Sequence, residues 1–551
     1  MNAARLSLPF SSFAARRPRL LLAGYCLLCW LPGFFSLPAT DRDEARFAQG
    51  TRQMLESGDF VHIRNGTEAR NRKPVGIYWL QLPGVAAAQA LGIATQNPIW
   101  PYRLPSLAGG MVAVLVTYGI GRRLFDPRAA LLAAALLGGG ALLTVETGIA
   151  KTDAALLGVT TLAMAVLARA YLERRLSRSQ AALFWLATGA GVLLKGPITP
   201  MVEALAALSL LAADRRAAWL GALRWRWGAP LLLAVVLPWF VAIGVATHGA
   251  FFHDSVGGDL ADKLVGGDDN HGQLPGFHLL ALSFGLFPAG FAALRALPQA
   301  WTRRREPATR FLLAWAGPSW LVFEAVPTKL IHYPLPLYPA LCLLGARWAL
   351  DPAARTPRWL AAASAALFMT AAALLGIGSA ALPLVALPRL SWDSLLGVPA
   401  ALAALLVAVA AVRAGRDTRQ AVIGGLACVP LLYWAVLELE LPRFTPLWIA
   451  PQVAAALRPH PAPGGFAASG YAEPSLMFAV GTDTRLLDPA ATAAFLAAAP
   501  GRVVAVDAST LSAFRAASGG AEARAWGSVA GVNYARGRHV ALTLFDRGAP
   551  P

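Results

Sequence analysis

Five lysines, Lys73, Lys151, Lys195, Lys263 and Lys329, stand in a chain whose lysines and arginines together number 48. Arginine carries nearly all the positive charge, so a lysine marks a place where a guanidinium would not serve as well. A compact ammonium suits point contact with a phosphate oxygen, whereas a guanidinium suits a bidentate clamp. Most of these lysines have acids, arginines or histidines nearby. Asp41-Arg42-Asp43-Glu44-Ala45-Arg46 precedes Arg70-Asn71-Arg72-Lys73-Pro74. Further on come Glu146-Thr147-Gly148-Ile149-Ala150-Lys151-Thr152-Asp153, Leu194-Lys195-Gly196-Pro197 and Lys329-Leu330-Ile331-His332-Tyr333. Such a set can neutralise an anionic leaving group and accept one proton. Two plainer readings stay open. The acids at 41–44 could serve only as a helix N-cap and first turn, and Lys195 and Lys329 could snorkel from apolar helices to water.

The surrounding sequence shows what must position these groups. The 551 residues are 56% hydrophobic and 14% charged, with mean hydropathy +0.52. That excludes a set of soluble domains, a disordered chain and a disulfide scaffold. The net charge of +18 does not indicate nucleic acid, because the arginines sit in short clusters between apolar runs. The expectation is an all-α polytopic membrane protein with about thirteen transmembrane helices, the first near 20–38 and the last near 420–438. Arg122, Arg123 and Arg128, then Arg303, Arg304 and Arg305, then Arg413, Arg416 and Arg419 fall in alternate loops. Positive-inside bias therefore places the N-terminus in the cytoplasm and the C-terminus outside. The lysines, the eight histidines and most acids then share the outer face. Cys26 and Cys29 form C-x-x-C inside an apolar run and read as small buried hydrophobes. Arg16, Arg17 and Arg19 lead into a retained first span rather than a cleaved signal peptide.

Residues 1–441 read as the transmembrane domain and 442–551 as a small outer α/β domain. The latter has β-like runs at Phe466–Gly470, Arg502–Val506 and His539–Phe545, and helical patterns at Ala490–Ala498 and Thr510–Ala517. In the outer loop 39–103, Phe47, Met54 and Leu55 imply an amphipathic helix lying on the membrane surface, and Val75–Leu80 a second. The Gly- and Asp-rich loop 247–276 reads as either a cover over the site or a solvated loop. No GxGxxG, P-loop or H-E-x-x-H occurs. A transporter or flippase is the rival class, but it would place ionisable groups near the bilayer midplane; here they crowd at one face.

Asp43-Glu44-x-Arg46, Lys73-Pro74 with Tyr78-Trp79-Leu80, Ala150-Lys151-Thr152-Asp153, Leu194-Lys195-Gly196-Pro197 and Lys329-x-x-His332-Tyr333-x-Leu335-Pro336-Leu337-Tyr338-Pro339 occur in that order. Together they resemble the bacterial GT-C glycosyltransferases that include lipid A aminoarabinose transferases, relatives of the protein O-mannosyltransferases. The resemblance runs from the first span to about residue 350. It implies a polyprenyl-phosphate sugar donor, lipid A or another envelope acceptor, and an inverting transfer at the periplasmic face of the inner membrane. A protein or polysaccharide acceptor is equally compatible with that fold. By the same resemblance Asp43 takes the acidic role; Glu44 and Asp153 are the further candidate catalytic carboxylates. Arg46, Lys73, Lys195 and Tyr333 hold the carrier phosphate, and Arg72, Lys151, Lys329 and His332 complete the substrate-binding set. The family commonly has Glu before the Lys-Pro pair where Arg72 stands, so the resemblance does not carry the identity of the sugar. It allows a divalent metal near this loop, but no metal-ligand spacing is present.

Overall fold

An apolar chain in lipid satisfies its backbone groups most simply by winding into helices, and most of this chain is helical. The computed structural model describes residues 16–93, 97–260, 273–288, 290–386, 395, 397–413, 418–518 and 523–547. Five helices among them are long and apolar enough to cross a membrane: Trp100–Leu124, Thr152–Glu173, Trp225–Ala246, Arg358–Leu384 and Gln420–Arg443. Pro127–Gly138 and Ala141–Thr147, bent by 60°, make a sixth if counted as one span. The chain is a multi-pass membrane protein. The expected thirteen spans exceed this set because several apolar runs fold as shorter or broken helices. The run at 20–38 yields a helix of 13 residues, Pro18–Trp30. The run at 277–296 divides into Phe277–Gly285 and Gly290–Thr302, with Pro288, which cannot donate a helical hydrogen bond, between them.

Eight helices frame the site: α1 Pro18–Trp30, α2 Asp43–Ser57, α3 Gly76–Ala90, α4 Trp100–Leu124, α5 Pro127–Gly138, α6 Ala141–Thr147, α7 Thr152–Glu173 and α8 Arg178–Lys195. Small residues let α4 and α7 meet backbone to backbone. A Cβ on Gly109 would lie 2.4 Å from Ala155 Cα, and one on Gly158 2.6 Å from the Gly109 carbonyl oxygen. This crossing sets the start of α7 beside the first turns of α4.

Instead of lying on lipid, α2 buries its apolar stripe in protein. Phe47 and Met54 pack with Val75, Ile77 and Tyr78, while Ala45 and Ala48 pack with Val85, Tyr102 and Phe478. Cys26, Cys29 and Cys342 are buried, and no disulfide forms among the described residues.

Beyond residue 465 a five-stranded sheet runs in the order Arg485–Leu486, Phe466–Ser469, Val503–Asp507, Arg538–Asp546, Arg524–Asn533. The first three strands are parallel and the last two pair antiparallel. This unit docks on α2. Gln49 Nε2 donates to Thr482 Oγ1 at 2.8 Å, and the Asp41 amide donates to the Tyr534 hydroxyl at 2.7 Å. The Ser475 hydroxyl donates to the Asp41 carboxylate. Of the loop 247–276, the central part with Asp262, Lys263, Asp268, Asp269 and His271 lies outside the described residues.

Candidate active site

The connection from α6 to α7 is short, so its backbone groups need side-chain partners. The Ser106 hydroxyl lies 2.7 Å from the Ile149 carbonyl and 3.0 Å from that of Lys151. Gln81 Nε2 donates to the Ala150 carbonyl at 3.4 Å, and the Ala150 amide donates to Glu44 Oε1 at 2.9 Å. So α2, α3 and α4 each grip this connection. It carries Lys151 and delivers Asp153 into the first turn of α7, where the helix dipole favours an anion. Lys195 ends α8, where the dipole favours a cation. Its position depends on Gly76, the first residue of α3. A Cβ there would lie 2.6 Å from the Leu193 carbonyl carbon and oxygen.

His332 and Tyr333 come from the proline-rich strap before the helix Tyr338–Leu350, which Trp315 Nε1 pins by donating to the Pro336 carbonyl at 3.1 Å. These elements converge on Asp153. Its Oδ1 lies 2.5 Å from Lys195 Nζ, and its Oδ2 3.7 Å from Lys151 Nζ. Lys151 Nζ also lies 2.9 Å from Glu146 Oε1. His332 sits between the carboxylates, Nδ1 3.9 Å from Glu146 and Nε2 3.8 Å from Asp153. Those separations are too long for hydrogen bonds. Lys195 Nζ lies 5.4 Å from the Tyr333 ring centroid, within cation–π range.

Electrostatics fixes the protonation of this centre. Burial acts to lower the Lys151 pKa, but the adjacent Glu146 and Asp153 outweigh it and hold the ammonium above the usual lysine range. Burial pushes His332 well below the usual imidazole range; Asp153 opposes this, while Lys151, Lys195 and Lys73 reinforce it. The His332 ring is therefore neutral near pH 7, and Lys73 acts on the same centre.

A second cluster opens to solvent beside it. Asp43, with a side chain 61% exposed, has Oδ1 4.0 Å from Arg46 and 3.9 Å from Arg70. Its charge is felt at both Lys151 and Tyr78. The Arg70 guanidinium also covers the Phe47 ring at 4.6 Å. Among the described residues no hydrogen-bond partner reaches Arg70 Nη1, the Tyr78 hydroxyl or Glu146 Oε2, all buried. Bare buried polar atoms are costly, and these are atoms a polar ligand would satisfy.

Of the residues expected from sequence, Lys151, Asp153, Lys195, His332 and Tyr333 come together with Lys73 nearby, and Asp43 and Arg46 form the adjoining cluster. Three fall elsewhere. Glu44 is fully buried; it accepts from Arg103 Nε at 2.8 Å and from the Thr40 amide at 2.8 Å, so its lone pairs are committed to structure rather than chemistry. Lys329 donates to the carbonyls of Gln273 and Val326 at 2.8 and 2.9 Å and so ties down backbone. Arg72 lies near Asp254, whose carboxylate Asn71 contacts at 3.2 Å. Glu146, Arg70, Tyr78 and Arg103 were not in the expected set. Arg103 signals itself only as an ionisable residue at the mouth of an apolar run. A divalent metal does not fit: among the described residues no group of three or more His, Cys, Asp or Glu side chains is placed to hold one, and lysine ammoniums occupy the Asp153 oxygens.

Comparison with known proteins adds four findings. The model of the dolichyl-phosphate-mannose-protein mannosyltransferase family matches residues 74–241, a stretch that holds Lys151, Asp153 and Lys195. The crystal structure of ArnT from Cupriavidus metallidurans bound to undecaprenyl phosphate superposes with a TM-score of 0.73 at 18% identity, covering 96% of this chain and 98% of that one. The chain has the ArnT fold. The Archaeoglobus fulgidus oligosaccharyltransferase shares it more distantly, with a TM-score of 0.52 at 13% identity over 87% of this chain and 65% of that one. An undecaprenyl phosphate-alpha-4-amino-4-deoxy-L-arabinose arabinosyl transferase of Pseudomonas aeruginosa is 31% identical over 320 residues, 55% of this chain and 54% of that protein. The chain thus matches about half the length of this curated relative. The motif-based resemblance to ArnT-like GT-C glycosyltransferases is borne out.

Proposed function

We propose that this chain is an integral-membrane glycosyltransferase that moves a sugar from a polyprenyl-phosphate carrier to lipid A or another envelope acceptor. The reaction belongs at the periplasmic face of the inner membrane. Residues 1–441 would form the catalytic membrane domain, and 442–551 a periplasmic domain braced against α2. The observation that carries this reading is the pairing of Lys195 and Lys151 on Asp153, next to Lys73 and Tyr333.

In the reaction the bond from the sugar anomeric carbon to the carrier phosphate oxygen breaks, and both electrons stay on the phosphate. The acceptor oxygen bonds to the opposite face of that carbon, which inverts it. Lys195, Lys73 and Arg46, with Tyr333, meet the charge that grows on the departing phosphate. Preorganised charge of this kind is usually the largest contribution to catalysis. Asp43, exposed in the adjoining cluster beside Arg46, takes the proton of an acceptor hydroxyl, a contribution of about 10²–10⁴-fold. Asp153 positions both lysines and stays paired.

The test is transfer by full-length protein in phospholipid nanodiscs, given radiolabelled polyprenyl-phosphate aminopentose or hexose together with lipid A. We expect labelled product with one donor, reduced about 10²–10⁴-fold by Asp43→Asn. No product from any carrier-linked sugar, alongside movement of label across vesicles, would replace this reading with a transporter.

A further inference from the structure

The helices that carry the site continue to a second feature at their opposite ends. From Arg103 to Arg122, α4 rises about 28 Å, close to the thickness of a bilayer's hydrocarbon core. There, α1, α4 and α7 line an open groove of ≈ 480 Å³ that the site does not use. Its polar edge is Arg19, Arg122 and Arg123, and Leu115, Val116 and Ile120 line its apolar wall. Arg123 is paired with Glu173 at 2.6 Å, and the Arg122 guanidinium lies 5.9 Å from the Tyr118 ring. That Glu173 is shared with Arg169 at 2.7 Å, and among the described residues neither Arg19 nor Arg122 has an ion pair. Gly119, which also lines the groove, has no atom of the described residues within 4 Å of where its Cβ would stand.

We propose that this groove seats an anionic glycerophospholipid. Its phosphodiester lies on Arg19, Arg122 and Arg123, and one acyl chain runs along Leu115, Val116 and Ile120. Basic pockets between transmembrane helices are suited to such headgroups, and a guanidinium matches two phosphate oxygens at once. A zwitterionic lipid would bring an ammonium against uncompensated positive charge. A free phosphate would use the polar edge and leave the apolar wall wet.

The test is native mass spectrometry of the full chain in detergent, exchanged with equimolar dioleoyl phosphatidylglycerol and dioleoyl phosphatidylcholine. The wild type should retain phosphatidylglycerol about tenfold over phosphatidylcholine, with roughly a fivefold loss for each arginine changed to Gln among Arg19, Arg122 and Arg123. Arg304→Gln with Arg305→Gln, in a different basic loop, should change nothing. Because removing loop arginines can disturb insertion, Gly119→Leu provides the second variant: it keeps every charge, fills the groove and should abolish the preference. Equal retention of both lipids, or full retention by Gly119→Leu, overturns the proposal. So does equal displacement of phosphatidylglycerol by glycerol phosphate, which would make the arginines a headgroup-only phosphate site.

Discussion

Two clusters of opposite construction lie side by side, one around Asp153 and one around Asp43. Around Asp153 the partners are buried and close, with ammoniums 2.5 and 3.7 Å from the carboxylate and the connection that bears them gripped by Ser106, Gln81 and Glu44. Around Asp43 the pairs stretch to 3.9 and 4.0 Å and the carboxylate is open. The first arrangement is finished before any ligand arrives, as electrostatic preorganisation requires. The second leaves its groups free to turn toward an incoming acceptor. Sequence neighbours sharpen the contrast. Asp43 and Glu44 are adjacent in α2, yet one faces water and the other holds Arg103 in the interior. Successive residues on a helix point about 100° apart.

The largest expected effect breaks the support of the buried cluster, since Glu44 accepts from Ala150 in the connection that bears Lys151. Arg103 donates to Glu44 and to the carbonyls of Phe34 and Leu37 at 2.8 and 3.0 Å, all out of water. Arg103→Ala strands the Glu44 charge, and we expect a loss of about 3–5 kcal/mol, read as a collapse of the thermal midpoint in detergent. By contrast Arg46→Ala, at the open cluster, should stay within about 1 kcal/mol of wild type while weakening donor binding. Equal losses for both would erase the distinction between the two clusters.

A smaller effect tests how the lysines are placed. Gly76→Ala must push back the Leu193–Leu194 backbone, at a cost of about 1–3 kcal/mol. Since Lys195 follows directly, KM for the lipid-linked donor should rise more than kcat falls. An unchanged KM would mean that Lys195 is held by some other contact.

The smallest effect concerns pH. Burial raises the Asp41 carboxyl from its ordinary 3.8 to about 6; Ser475 opposes the shift and the charge of Glu473 adds to it. The folded state thus binds this proton more tightly than the unfolded one. Stability from Asp41 is complete below about pH 4, is lost as pH rises toward 6, and is flat above. Asp41→Asn should therefore gain on wild type by on the order of 1–2 kcal/mol at pH 7, with the gap closing toward pH 4. Melting curves that run parallel across that range would show Asp41 to be as solvated as Asp43.

Much of the centre was legible because ionisable residues at the ends of apolar helices stand out. Glu146–Asp153, Lys195 and the strap with His332 and Tyr333 could all be found that way. The strands at Val503 and Arg538 were legible from their β-branched residues, and the one at Phe466 as a short apolar run ending at Gly470. Arg524–Asn533 was not, since Gly527 and Gly531 weaken its pattern; Gly531 is needed because a Cβ there would lie 2.3 Å from the Pro446 carbonyl oxygen. The division of labour between Asp43 and Glu44, and the capture of Lys329 by carbonyls, depend on three-dimensional partners that spacing does not encode. The number of spans depends on where helices break, and apolar composition alone does not locate those breaks.

The most direct measurement is the affinity of undecaprenyl phosphate for purified Lys195→Ala and Asp43→Asn, set beside their transfer rates. We expect Lys195→Ala to weaken carrier binding by about one to two orders of magnitude, and Asp43→Asn to bind the carrier like wild type while losing transfer. Intact carrier binding in Lys195→Ala, or equal loss of binding in both, would contradict the assignment of phosphate to the buried lysines and proton transfer to the open carboxylate.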